Sequence, residues 1–307
     1  MIRKIDYRIH DVSPYINWIY FFFAWSFPTR FASVHKIHDC PSCRRGWVEA
    51  FPEDDRDKAE EVLKLFDDAQ KMLRKMDETF TTHGKFGLYE AWCDGDNIII
   101  GAQEETNFRE FSIPCLRQQS KTNTDEPFIC LSDFLHEWRE GVKPDTMGIF
   151  CTTVDKQMEE LSSDDPYNRM LAQTLCDRLA EATAEKMHEE VRKTYWGYAP
   201  DEDLQPEDLY GEKYQGIRPA VGYPSLPDIS LNHLIDEILD MSDIDISLTE
   251  NGMMDPHASV SGLMFGHPKS HYFNIGRIGE DQLNDYARRR GMQPDDLKRF
   301  LVSNLST

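Results

Sequence analysis

Two histidines and two cysteines lie within nine residues near the N-terminus: His35, His38, Cys40 and Cys43. Thiolates and imidazoles are ligands that zinc prefers, and a Cys-x-x-Cys pair is half of a common zinc knuckle. Zinc sites usually join two separated pairs, because one short loop closes around a tetrahedron with strain. We therefore expect a surface loop with two free thiols and no metal. A zinc site and a redox-active cysteine pair are the alternatives.

A second candidate is the segment from Tyr214 to Pro227, in which two glycines and three prolines surround Arg218 and Tyr223. Glycine permits a close approach of the backbone to a ligand, and proline lowers the entropy that is lost when a loop is ordered. The planar fork of an arginine suits a carboxylate. The segment indicates a rigid binding loop, and the alternative is a stiff connection with Arg218 in a surface ion pair.

The third candidate, Glu181, lies in the middle of the longest predicted helix, which runs from Pro166 to Trp196. Asp165 precedes this helix as a cap for its free amides, and Gly197 is placed to end it. A lone glutamate on a helix is usually solvated. Glu181 alone therefore gives no evidence for a site, and it becomes a candidate only together with other residues that match a known pattern.

The charge and the missing motifs exclude several classes of function and of binding partner. The chain has 34 basic and 55 acidic side chains in 307 residues, a formal charge of −21, which repels nucleic acid and anionic lipid. Glycine-rich dinucleotide, phosphate-loop, His-Glu-x-x-His and Gly-x-Ser-x-Gly motifs are missing, so nucleotide hydrolysis, metalloprotease and serine hydrolase chemistry have no support. The most apolar run, Trp18 to Trp25, is too short for a membrane span, and we identify no signal peptide. Seven cysteines, mostly dispersed, suit reduced thiols in the cytoplasm.

The elements that position these residues follow from the apolar spacing. Strands and helices are mixed without regular alternation, which favours an α+β fold. From the N-terminus we predict an extended segment over 1–28, a loop over 29–55, a helix from Arg56 to Met76, a hairpin of Leu88–Cys93 with Asn97–Gly101, and a strand from Met147 to Val154. After the long helix we predict a rigid loop over 214–228, a helix from a Ser230 cap to about Met241, a hairpin of Ser259–Phe265 with His271–Ile275, and two short helices divided by Gly291 and Pro294.

The sequence closely resembles the activation domain of cobalamin-dependent methionine synthase, the module that binds S-adenosylmethionine. The matching segments occur in the family's order and cover the chain from about Tyr15 to Phe300. They include Asp177–Ala182, His188-Glu189, Val191-Arg192, Trp196–Ala199, Gly216–Ala220, Gly222–Pro224, Leu116–Gln119, Cys130–Phe134, Ser259–Gly262 and Asp285–Arg289. One departure concerns Asn17, which stands where the family has an aspartate that meets the ammonium of the ligand.

The resemblance implies one C-shaped α+β domain over residues 1–307, with a bent antiparallel sheet flanked by helices and an insertion around residues 29–55. It also implies a groove for S-adenosylmethionine, in which Arg218 holds the methionine carboxylate. The remaining residues of the implied site are Asn17, Glu181, Ala220, Gly222, Tyr223 and Tyr272.

The implied function is a methyltransferase component that reactivates methionine synthase. In the family, an electron from a flavodoxin-type donor and a methyl group from S-adenosylmethionine restore methylcobalamin from cob(II)alamin. The chain has no Asp-x-His-x-x-Gly cobalamin signature, so the resemblance implies a partner chain that carries the cobalamin. The alternative is a regulatory or binding paralogue that keeps the fold and has lost S-adenosylmethionine binding.

Overall fold

The computed structural model describes residues 1–103, 108–120, 127–161 and 164–305. The strands are β1 (Ile2–Arg8), β2 (Thr81–Asp94), β3 (Asn97–Gln103), β4 (Phe108–Pro114), β5 (Asp145–Val154), β6 (Ser247–Leu248), β7 (Met254–Asp255) and β8 (Ser259–Met264). The α-helices are α1 (Ile9–Val12), α2 (Trp18–Ala24), α3 (Pro41–Glu49), α4 (Glu53–Asp77), α5 (Lys156–Glu159), α6 (Pro166–Glu190), α7 (Pro206–Tyr210), α8 (Leu231–Leu239), α9 (Glu280–Arg290) and α10 (Pro294–Lys298). No helix within these ranges is long and apolar enough to cross a membrane.

The main sheet is antiparallel and has the strand order β4-β3-β2-β5-β8. Along one edge of β2, the first half pairs with β1 and the second half pairs with β3, while β5 follows the opposite edge. The predicted hairpin of β2 with β3 is confirmed, and so is an α+β fold with an antiparallel sheet flanked by helices.

The central strand β5 separates two hydrophobic clusters. Phe150 packs into one cluster with α4 and α6, whereas Ile149 and Cys151 pack into the other with α8 and α9. Because successive side chains of a strand point to opposite faces, a strand that is covered on both sides has a nearly continuous apolar sequence. This double burial explains the apolar run that predicted the strand from Met147 to Val154.

The long helix α6 begins as its sequence predicts. The side chain of Asp165 accepts a hydrogen bond from the backbone N–H of Tyr167 at 3.0 Å, and Pro166 occupies the first turn. A π-helical turn, Val191–Tyr195, continues it, and Gly197 follows with φ of +72°. The helix lies on the sheet, where the hydroxyl of Thr152 donates to the carbonyl of Ala180 at 2.9 Å.

The first 55 residues are more helical than predicted. The expected extended segment ends with β1, and the aromatic run forms α2 because its buried residues, Trp18, Phe21 and Phe22, recur at helical spacing. The sequence predicts a loop over residues 29–55, but these residues contain a 3₁₀ segment, Thr29–Lys36, and the helix α3. The next helix, α4, begins at Glu53, slightly before the predicted Arg56.

The second predicted hairpin is wrong. Strand β8 forms, but residues 271–275 do not pair with it. Its free edge is instead met by the loop at 214–228, where the N–H of Leu263 donates to the carbonyl of Pro219 at 3.0 Å. This approach requires Gly262, because a Cβ there would lie 2.3 Å from the carbonyl oxygen of Pro219.

The rest of the C-terminal third follows the prediction with one difference. Helices α8, α9 and α10 occupy the predicted positions. Ser230 precedes α8, but its side chain does not cap the helix: its hydroxyl donates to the carboxylate of Asp228 at 2.6 Å. Asp228 also accepts from Tyr286 of α9 at 2.9 Å, so a buried polar contact joins α9 to the segment before α8.

Candidate functional site

A cavity of about 600 Å³ opens between α2, α6, α7 and the loop at 214–228. Its walls combine acidic side chains of α6 with tyrosines and a single arginine from the loop. The lining residues are Tyr15, Asn17, Tyr20, Glu181, Ala182, Glu185, Leu209, Tyr210, Glu212, Tyr214, Arg218, Pro219, Ala220, Tyr223, Pro224, Ser225, Val260, Tyr272, Phe273 and Asn274.

Nearly all of the site residues named from the sequence meet at this cavity. They are Asn17, Glu181, Arg218, Ala220, Tyr223 and Tyr272. Gly222 is the exception, since it does not line the cavity. It lies with φ of +88° in the turn between Ala220 and Tyr223, which both line the cavity.

Arg218 pairs with Glu185, a residue that the sequence reasoning missed. The guanidinium donates to Oε1 of Glu185, and the side chains are only 10% and 19% exposed. Burial opposes the charge of Arg218, but Glu185 together with Tyr272, Tyr214 and Glu181 outweighs burial, and the pKa of Arg218 lies above its ordinary value. The spacing along the helix could have indicated it. Glu185 lies four residues after Glu181, which places both on the same face of α6.

Two tyrosines hold the backbone of Arg218. The N–H of Arg218 donates to the hydroxyl of Tyr272 at 2.9 Å, and this hydroxyl also contacts that of Tyr214 at 3.1 Å. The ring of Tyr214 lies under the guanidinium of Arg192, 4.4 Å from the ring centroid, and Arg192 pairs with Glu202. The buried ion pair of Arg192 with Glu202 therefore supports the loop at 214–228 through Tyr214.

Glu181 is held in place by two donors. The hydroxyl of Tyr223 donates to Oε1 at 3.0 Å, and Arg178, one turn earlier on α6, donates to Oε2 at 2.8 Å. Burial and then the Glu181 carboxylate raise the pKa of Tyr223 to about 12, so the phenol stays protonated and keeps donating at neutral pH. Glu181 and Tyr223 thus form a fixed polar edge of the cavity.

Asn17 contributes an uncharged amide to the cavity wall. Its Oδ1 accepts from the N–H of Ile19 at 3.1 Å, which makes Asn17 the N-cap of α2. The hydroxyl of Tyr210 donates to the carbonyl of Ile16 at 2.7 Å and joins α7 to this end of α2. The site therefore uses one residue both to begin a helix and to face the cavity.

The cavity carries an excess of negative charge. Its lining residues include the carboxylates of Glu181, Glu185 and Glu212 and the guanidinium of Arg218. Burial and then the nearby Glu185 raise the pKa of Glu212, as expected where acidic groups crowd together. The arrangement suits a molecule that has one carboxylate for Arg218 and more than one positive centre for the acidic groups.

The His/Cys segment lies apart from this cavity, since none of its four residues lines it. The ligand atoms of His38, Cys40 and Cys43 lie within 4.8 Å of one another. The ring of His35 points away from these three residues, and its Nδ1 lies 2.5 Å from the backbone carbonyl oxygen of Ala32. Hydrogen bonds from Ser42, Cys43 and His38 lower the pKa of the Cys40 thiol to about 6.

Comparisons with known proteins agree with the geometry. The family described as "Vitamin B12 dependent methionine synthase, activation domain" matches residues 8–291. Among solved structures, the crystal structure of the MetH reactivation domain bound to AdoHcy matches with a TM-score of 0.84 and 36% sequence identity. That alignment covers 100% of this chain and 91% of the other.

Proposed function

The chain belongs to the activation-domain family of vitamin B12 dependent methionine synthases, and from this membership we propose that it binds S-adenosylmethionine and supports reactivation of a cobalamin-dependent methionine synthase. The similar MetH reactivation domain was crystallised with AdoHcy, a molecule with the same adenosyl and amino-acid parts. The coverage of both chains is nearly complete, so the ligand of that domain is a reasonable guide to the ligand of this cavity.

The observation that carries the proposal is the pairing of Arg218 with acidic residues inside one cavity. S-adenosylmethionine has a carboxylate, an ammonium and a sulfonium, which require one cationic and several anionic or polar partners. Within the described residues, Oε2 of Glu185 and Nε of Arg218 are buried without hydrogen-bond partners. A ligand with both signs of charge would satisfy these atoms.

In this proposal the residues of the chain bind and orient the ligand. Arg218 holds the carboxylate, and the backbone of the segment from Arg218 to Ala220 meets the adenine or amino-acid end. Asn17 accepts from the ammonium, while Glu181, Tyr223 and Tyr272 line the site. When bound, the ligand supplies a methyl group to the reduced cobalt of cobalamin. The contribution of the chain is therefore positioning.

We place the cobalamin on a partner methionine synthase chain, because these 307 residues contain no Asp-x-His-x-x-Gly signature. A flavodoxin-type protein is the proposed electron donor. All seven cysteines are free, which favours a reducing compartment such as the cytoplasm. The formal charge of −21 favours a basic docking surface on the partner and a rate that falls with salt.

Calorimetry with S-adenosylmethionine tests the first step. We expect one site per chain for the unchanged protein and a much weaker site for Arg218→Lys, which keeps the charge but loses the planar fork. Arg30→Lys, in an exposed ion pair with Asp55 far along the chain from the loop, is the matched control and should bind as the unchanged protein does. Lack of binding by the folded, unchanged chain would favour the non-catalytic paralogue, for which the neutral Asn17 is the supporting observation.

A spectroscopic assay tests the second step. The chain is added to a methionine synthase chain that carries cob(II)alamin and lacks its own activation domain. With both a low-potential donor and S-adenosylmethionine, the cobalamin absorption should change to that of methylcobalamin, and omission of either should prevent the change. Persistence of cob(II)alamin, while the partner's own activation domain succeeds, would exclude reactivation in trans.

A further inference from the structure

Residues 38–43, which lead into the first turn of α3, bring two thiols and one imidazole together on the surface. The ligand atoms of His38, Cys40 and Cys43 lie within 4.8 Å of one another, close enough to surround a single ion. We propose that these three side chains bind one zinc ion. The site is separate from the cavity and does not depend on the function proposed for it.

The structure differs from the arrangement that the sequence suggested. Four ligands from one short loop would close around a tetrahedron with strain. His35 is turned away, so only three ligands converge, and they come from the six residues 38–43. Zinc sites with three protein ligands keep their fourth position for water or another donor, and thiolate with imidazole is a ligand set that suits zinc.

The backbone holds the two cysteines in a conformation suited to a metal. Cys40 is the N-cap of α3, and its Sγ accepts from the N–H of Cys43 at 3.4 Å, while Pro41 occupies the first turn. An N–H donor to a sulfur supports the negative charge of a bound thiolate and orients it. Cys43 is exposed and Cys40 is partly exposed, so an ion can enter from solvent.

The neighbouring ion pairs anchor this segment to the rest of the protein. Arg44 pairs with Asp67 of α4, with one N–O distance of 2.9 Å, and with Asp39 of the loop itself at 2.8 Å. On the other side, Lys36 pairs with Glu207 of α7 at 3.0 Å. A zinc ion would thus stabilise residues 38–43, a short segment whose neighbouring ion pairs reach both α4 and α7. Helix α7 contributes to the cavity wall.

Metal titration of the full chain tests the proposal. Purified, reduced protein should bind about one Zn²⁺ per chain, and Co²⁺ in its place should give thiolate charge-transfer bands and the intense visible bands of tetrahedral cobalt. Cys40→Ser, Cys43→Ser and His38→Gln should each weaken the affinity by more than about 100-fold, a larger loss than follows when a residue that only hydrogen-bonds a ligand is changed. Circular dichroism establishes that each variant is folded.

Two matched variants serve as controls. His35→Gln changes the histidine of the same segment that does not converge, and Cys93→Ser removes a partly buried thiol elsewhere. Both should keep one tight metal site. Zinc should also raise the melting temperature of the unchanged chain and of His35→Gln, but not that of Cys40→Ser.

Two results would overturn the proposal. The first is equal, weak metal binding by the unchanged chain and by Cys40→Ser. The second is a mass loss of two hydrogens in mild oxidant, mapped to Cys40 and Cys43, in a protein that binds no zinc when reduced; this would assign the pair to redox chemistry.

Discussion

Inside the cavity Arg218 donates to the carboxylate of Glu185, yet Nε of Arg218 and Oε2 of Glu185 have no hydrogen-bond partner among the described residues. Both atoms are buried, where an unsatisfied polar group costs about 1–3 kcal/mol. In the proposed function the ligand satisfies both atoms: its carboxylate adds to the guanidinium of Arg218, and its cationic group adds to Glu185.

Replacement of Arg218 by alanine should weaken S-adenosylmethionine binding by about 2–4 kcal/mol, because a ligand carboxylate loses its charge-assisted hydrogen bonds. Calorimetry measures the change. Unchanged affinity in folded Arg218→Ala would remove Arg218 from the site.

Replacement of Glu181 by glutamine should weaken the binding less than Arg218→Ala does, since glutamine keeps an oxygen acceptor for Tyr223 and Arg178.

Replacement of Asn17 by aspartate should tighten binding by about 1–2 kcal/mol, because a charged acceptor replaces a neutral one for the ligand ammonium. Helix α2 should be preserved, since aspartate caps as well as asparagine does. Asn17→Ser also caps but adds no charge, so it serves as the control and should not show the gain. Binding of Asn17→Asp that is equal to or weaker than that of the unchanged chain would place the ammonium elsewhere in the cavity.

His188 should make the fold less stable in acid. Burial first, then Arg192 and Arg218, hold its pKa well below the ordinary 6.5, so it stays neutral in the folded state. Below pH 6.5 the unfolded chain takes up a proton that the folded chain does not, and stability falls by up to about 1.4 kcal/mol per pH unit.

His188→Phe removes this titration while keeping a flat ring next to Tyr214, which His188 contacts edge-on at 5.1 Å. Urea unfolding between pH 4.5 and 7.5 measures the free energy of unfolding. That of the variant should rise relative to that of the unchanged chain as the pH falls below 6.5. Parallel stability curves over that range would mean that His188 takes up a proton in the folded protein as readily as in the unfolded chain.

Glu202→Gln should destabilise the fold by about 3–5 kcal/mol, because it leaves the fully buried guanidinium of Arg192 without its counter-charge. The measurement is the free energy of unfolding in denaturant. Asp295→Asn breaks the exposed pair with Lys298 and should change stability little. A similarly small effect of Glu202→Gln would show that this buried pair contributes little to the stability of the fold.

The sequence determined the local elements wherever one residue pattern dominated. Helices α4 and α6 followed from apolar spacing and from the cap at Asp165, and β5 from an apolar run that is buried on both faces. The resemblance to a family also named six of the residues that line the cavity. These features are local, or are carried by residue identity, so they can be read along the chain.

The tertiary structure decided which segments meet. The free edge of β8 pairs with the loop at 214–228 rather than with residues 271–275, because Gly262 lets the carbonyl of Pro219 come close. Glu185 became a site residue only because the fold turns its face of α6 toward Arg218. His38, Cys40 and Cys43 converge while His35 does not, since helix geometry rather than spacing sets the direction of each side chain. Contacts between distant segments depend on packing and charge in three dimensions, and spacing along the chain does not record them.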